Sequence, residues 1–326
     1  MMTAFFRSRK WFWWAYGVGL ILLVLSYTQV HISVLFNDWY GSFYDMLQKP
    51  QEHTIAEFWM SLRRFMYLAI PYMAIATIMS YITRLYSLRW REAITFNYVP
   101  RWRRVREEIE GASQRIQEDA YRFAKIIESL GLQAVNAIMT LVAFLPVLWM
   151  LSSKVQVGIL AAVPGSLVWV ALAVSIGGMA ISWFVGIKLP GLEYNNQKVE
   201  AAFRKELVLG EDDKDHYASL PTITGLFTGI RFNYHRLFLH YGYFDLWLNL
   251  YSQTMVIVPF LVAGPGLFTG AMTLGVMMKI SNAFGEVRSS LALFISNWTT
   301  ITELRSIWKR LHEFEANIDK CQRVNS

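Results

Sequence analysis

Cysteine is nearly absent. The single thiol, Cys321, cannot close a disulfide within the chain, so no covalent framework shapes the fold. Histidines number six and are scattered; His235 and His240 lack the spacing and partners of a zinc site, and no metal or other cofactor is expected, protons aside. No G-x-x-x-x-G-K-[ST] phosphate loop occurs, which excludes nucleotide hydrolysis by these residues. Ser, His and Asp near 235–252, which an intramembrane enzyme would need, are joined by no nucleophile elbow or metal-ligand spacing, and the chain reads as no enzyme. Low-complexity linkers and internal repeats are also missing, and only 17% of residues are charged. What remains is 54% hydrophobic and 15% aromatic, with a mean hydropathy of +0.29. That composition describes an all-α integral membrane protein.

Six apolar runs approach the length needed to cross ~30 Å of hydrocarbon: 11–36, 60–85, 126–151, 159–187, 241–264 and 271–300, the last being the most polar. The first follows Arg7, Arg9 and Lys10 as a secretory signal would, but it is long and no small-residue cleavage site follows, so it reads as a retained span. The whole of 1–326 reads as one transmembrane domain with helical extensions at 86–125 and 188–239 and a tail at 301–326. The net charge of +7 is distributed by side rather than by ligand. With six spans, the N-terminal cations, the group Arg84, Arg89, Arg91, Arg101, Arg103, Arg104 and Arg106, the group Lys198, Arg204 and Lys205, and Arg305, Lys309 and Arg310 share one side. The positive-inside rule then places both termini in the cytoplasm and leaves nucleic acid unnecessary. Arg63 and Arg64 run against it, as snorkelling or cavity-lining groups. Arg89 and Arg91 beside Trp90 read as headgroup anchors. Turns are expected at Pro164-Gly165, Gly264-Pro265-Gly266, Gly210 and Pro221.

Residues 104–151 read as one helix. Glu118, Arg122, Lys125, Ser129, Gln133, Asn136 and Thr140 recur every third or fourth position and, at about 100° per residue, share one arc opposite an oily face. Such groups are costly against hydrocarbon, so the arc must face protein or a wet cavity. A second stripe holds Arg231, His235, Asp245, Asn249, Ser252 and Gln253; a third holds Lys279, Asn282, Glu286, Ser289, Ser290 and Asn297. These are candidate cavity walls. Glu286, seven residues from Lys279, reads either as its ion-pair partner or as a proton site. Trp39, Tyr40, Phe43 and Tyr44, near Asp38 and Asp45, are either interfacial anchors or a capture site for cationic side chains.

Three blocks make a family resemblance specific: 37–47 (NDWYGSFYDML), 88–95 (LRWREAIT) and 111–124 (GASQRIQEDAYRFA). They are joined by 186–193 (GIKLPGLE), 199–206 (VEAAFRKE) and 210–213 (GEDD). Over roughly Phe36 to Leu311 the chain resembles the SbmA/BacA peptide transporter family. The resemblance implies an ABC-exporter-type membrane fold of six long helices in a helix-exchanged homodimer in the bacterial inner membrane. It also implies no ATPase domain in the chain, and proton-driven uptake of peptides and peptide-like antibiotics. Proton coupling calls for carboxylates whose pKa partial burial can raise. The candidates are Glu118, Glu128, Glu200, Glu206 and Glu211, and the resemblance singles out Glu128, Glu200 and Glu211. For Glu118 a salt bridge to Arg122, one turn on, competes with that role. The membrane half of an ATP-driven importer, for example of a corrin, with a separate ATPase, is the competing function.

Overall fold

The computed structural model describes residues 2–105, 109, 111–155 and 158–324. Arg106 lies outside them. Among the described residues the chain is helical throughout: Trp13–Gln48 (α1), Ile55–Trp102 (α2), Ala112–Lys154 (α3), Ser166–Gly186 (α4), Leu189–Asp212 (α5), Leu220–Phe268 (α6), Leu274–Ser296 (α7) and Trp298–Val324 (α8). A short helical hook, Met2–Phe6, precedes α1. Five helices are long and apolar enough to cross a membrane: α1, α2, α3, α6 and α4 continued through α5. The chain is thus a multi-pass membrane protein.

The helix expected over 104–151 is divided. α2 ends at Trp102, and Gly111, at φ 71°, supplies the left-handed residue from which α3 starts. Two wide π turns, Arg115–Asp119 and Ile127–Gly131, then interrupt α3. Each inserts about one residue and sets the helical wheel back by roughly 100°, so the arc over 118–140 is not one continuous stripe. The turn expected at 264–266 lies further on: α6 runs through both its prolines to Phe268, and Gly270, at φ 76°, reverses the chain.

The chain divides into two compact units, 1–172 with 259–326, and 173–258. In the first, α7 packs against α3 and α1, and α1 also packs against α2 and α3. A soluble-type core forms where the hook, the end of α2, the start of α3 and α8 meet. Phe5, Ile94, Tyr98, Phe123, Ile307 and Leu311 are buried there. Phe5 stacks on Trp90 with centroids 5.3 Å apart and planes at 10°.

In the second unit, α4 approaches α6 along Gly178, Ser182 and Gly186, one turn apart, the small-residue spacing that lets helices close in. A Cβ on Gly178 would run into the Tyr251 ring. The Ser182 hydroxyl accepts from Trp247 Nε1 at 2.8 Å and donates to the Gly178 carbonyl at 2.7 Å. Gly178→Leu is therefore expected to lower stability by about 1–3 kcal/mol through overpacking. Gly177→Leu, with no neighbour within 4 Å, should leave the thermal unfolding midpoint in detergent unchanged.

Candidate functional site

α1 and α7 meet where glycine is required on both: a Cβ on Gly275 would strike the Gly41 carbonyl, and one on Gly41 would strike the Lys279 side chain. The first turn of α7 has free N–H groups, as any helix start does. Asp45 Oδ1 accepts from Gly275 N and Gln48 Oε1 from Leu274 N, each at 2.8 Å. Asp45 is thereby committed to the helix start, where its charge also suits the dipole. Lys279 Nζ lies 2.8 Å from Asp38 Oδ1, joining the two helices. Of the two readings of Glu286, the ion pair with Lys279 is not the one formed here.

Freed from Lys279, Glu286 lines a cleft of about 570 Å³ with Ser33, Asn37, Tyr40, Tyr72 and Asn282. Ser289 and Ser290 donate to the Glu286 carbonyl, at 3.0 and 2.8 Å, and so do not serve its carboxylate. No cation lies within 4 Å of that carboxylate among the described residues. Asn37 is 3% exposed, and both its amide atoms are buried without a hydrogen-bond partner. Phe36 packs against Phe65 and Tyr72, at 5.3 and 5.7 Å, to form the aromatic wall. The unpaired Glu286 carboxylate fits a ligand that donates protons or carries positive charge, and the Asn37 amide behind it, its donor and acceptor both buried and unpaired, is a standing cost.

Toward the α1–α2 connection a second cavity, about 610 Å³, is lined by Asp38, Trp39, His53, Glu57, Arg64 and Tyr67. Trp39 donates from Nε1 to the Ser61 carbonyl at 2.9 Å and stacks on Phe43 at 4.7 Å, while Tyr44 stacks on Tyr40 at 6.5 Å. Trp39 is thus fixed in place, and Arg64 lines a cavity.

At the hook end the candidate carboxylates are paired. Glu118 lies 2.8 Å from Arg122, which reaches Glu303 of α8 at 3.3 Å; Glu128 lies 3.6 Å from Arg84. Between them Asp119, 2% exposed, accepts from Arg115 Nη1 at 2.7 Å and from Arg310 Nη2 and Nε at 2.7 and 3.0 Å. The hydrogen bond to Asp119 pushes the Arg310 pKa up. Arg101 and Asp319 form another pair between α2 and α8. Arg89 and Arg91, expected at headgroups, are held by protein: Arg89 by Glu92 at 2.8 Å and over the Trp14 ring at 5.2 Å, Arg91 over Tyr121 at 4.9 Å. Asn136 accepts from Ser26 of α1, and Gln133 is exposed.

In the second unit Glu206 accepts from Ala218 N at 3.0 Å, which steadies the α5–α6 turn around the positive φ of Ala218. Glu200 is half-buried on α5; Glu211, Asp245, Asn249 and Gln253 are exposed. The cleft therefore unites Asn282 and Glu286 but none of the other predicted glutamates. Its decisive partner, Asn37, escapes pattern reading because one buried amide has no periodicity; its place in the 37–47 block is the only signal. Asp119 likewise sits unmarked inside the 111–124 block.

A family model described as the SbmA/BacA-like family matches residues 8–319. An Escherichia coli protein named inner membrane ABC transporter ATP-binding protein YddA is 25% identical over 90% of this chain and 56% of its own length. A Synechocystis ABC transporter ATP-binding protein is 23% identical over 96% of this chain and 47% of its own. The chloroplastic ABC transporter D family member 2 of Arabidopsis thaliana is 26% identical, over 91% and 42%. The chain spans about half the length of the curated relatives it matches.

Proposed function

Since the chain belongs to the SbmA/BacA-like family, we propose that it is a proton-coupled importer of peptides and peptide-like antibiotics in a bacterial inner membrane. It works by alternating access as a homodimer, with α7 as the sixth span, an ABC-exporter-type fold and both termini in the cytoplasm. The observation that carries the reading is the Glu286–Asn37 cleft, whose unpaired carboxylate and aromatic wall suit a cationic or N–H-rich cargo. Support for a second copy comes from α6, where Asp245, Asn249 and Gln253 stand exposed among lipid-facing apolar residues. Covering them lowers the cost of holding them at membrane depth. Protonation of Glu128, Glu200 or Glu211, with Glu118 and Glu206 behind them, would bias the outward-to-inward shift. That requires the two conformations to bind the proton with different affinity.

Uptake of a labelled arginine-rich peptide into proteoliposomes should collapse with a protonophore and survive without ATP. Glu128→Gln, which removes titration but keeps shape, should cut the rate at least tenfold, and Glu128→Asp less. Wild-type rate and pH dependence in Glu128→Gln would make its pair with Arg84 structural.

The ATP-driven reading is favoured by one observation: the relatives are named ATP-binding proteins and are about twice as long as this chain. Under it, uptake follows ATP and a separate ATPase, and ignores the protonophore.

A further inference from the structure

Before entering α1 the chain folds back on α2 and lines an open cavity of about 370 Å³, away from the cleft. Its polar wall is Thr3, Arg7, Ser8, Lys10 and Asn97, with no acidic residue. Arg7 and Lys10 have no carboxylate within 4 Å among the described residues; Lys10 lies over the Trp11 ring, 5.0 Å from its centroid. Ser8 leads a short turn at Arg9–Trp11, yet its hydroxyl makes no capping bond. Asn97 Oδ1 accepts from Arg101 Nη1 at 3.0 Å, which orients the amide and leaves its N–H groups to donate. The cavity thus presents two cations and several donors.

The floor is rigid. Ala4, Trp11 and Ala93 are buried, and the adjacent Phe5 is locked between Trp90 and Tyr86. Next to it Phe12, Trp13, Tyr16 and Phe96 are about half to two-thirds exposed. Exposed aromatics at the start of a span mark headgroup depth, where their apolar bodies meet acyl chains. Retention of topology would require the positive charge alone. An open cavity with unspent donors beside an aromatic collar goes beyond that requirement.

We propose that this hook cavity binds the phosphate of an anionic phospholipid, with Arg7 and Lys10 neutralising it and Ser8, Thr3 and Asn97 donating hydrogen bonds. Free phosphate esters share that chemistry, but the collar commits the site to lipid. Occupancy would brace the hook against α2, and through Phe5 the core on which α8 rests. The inference is independent of cargo and energy source.

Purified full-length protein in neutral detergent is titrated with phosphatidylglycerol, phosphatidylcholine or glycerol 3-phosphate, reading lipid adducts by native mass spectrometry and the unfolding midpoint. Saturable binding and a raised midpoint are expected with phosphatidylglycerol alone. In the Arg7→Gln/Lys10→Gln variant that affinity should fall roughly thirtyfold, at about fivefold per cation. Arg9→Gln/Arg103→Gln, which removes equal charge outside the cavity, should keep it. Thr3→Val/Ser8→Ala preserves the charges that guide insertion and should weaken binding several-fold, so the donors are tested even if the charge variant misfolds. Equal losses in both charge variants, unchanged affinity in Thr3→Val/Ser8→Ala, or equal binding of glycerol 3-phosphate would each overturn the proposal.

Discussion

Replacing Asp119 by alanine is expected to loosen α8 from the hook-end core and to cost about 3 kcal/mol, the lower part of the range for breaking a buried ion pair. The carboxylate is 2% exposed and takes three hydrogen bonds, two from Arg310 and one from Arg115. Its loss strands both guanidinium groups, but these are 34% and 24% exposed and recover part of their hydration, which sets the lower figure. Arg310→Lys keeps the charge and loses the planar fork, so it should fall between wild type and alanine. Amide exchange locates the effect: protection should fall across α8 and the first turns of α3, while α4 and α6 keep theirs. A midpoint shift below that of an ordinary surface substitution would make the pair incidental.

Asn37→Leu should have the opposite sign in stability and a large effect on transport. Both polar atoms of the amide are buried and unpaired, so an apolar side chain of similar volume removes a standing cost of about 1–3 kcal/mol. The midpoint in detergent should rise. Uptake of an arginine-rich peptide should nevertheless fall at least tenfold, because the buried amide that the cleft would expose to cargo as it rearranges is gone. Glu286→Gln should reduce uptake similarly and, by removing an unpaired half-buried charge, should not lower stability. If Asn37→Leu instead destabilises the protein, the amide is paired through groups of the fold and the cleft is no cargo site. Gain of stability with undiminished uptake would leave the cleft out of the transport path.

How much of this was legible in sequence depended on whether the signal was periodic. Long apolar runs fixed an all-helical, multi-pass protein, because spanning hydrocarbon demands consecutive apolar residues whatever their partners. Gly186, in the 186–193 block, sits where α4 packs closely on α6, but Gly178 and Ser182 on the same helix carried no sequence signal. The arc along α3 was legible only in part. Its residues were found, but a uniform 100° step could not foresee two π turns or the break at Gly111.

Pairing within a helix was legible, since Glu118 and Arg122 stand one turn apart and do pair, but pairing between helices was beyond reach of the sequence. Lys279 lies closer in the chain to Glu286 than to Asp38, yet it joins Asp38 across α1 and α7, because Gly41 and Gly275 let those helices nearly touch. That choice leaves Glu286 unpaired and turns its surroundings into a cleft. Asp119 was one acidic residue among many until α8 folded back to bring Arg310 against it. Sequence by itself determined the class, the family and which residues are too polar for lipid, since those follow from local composition and spacing. Tertiary structure alone decided which charges of different helices neutralise one another and which stay available, since that depends on contacts between residues up to 241 positions apart.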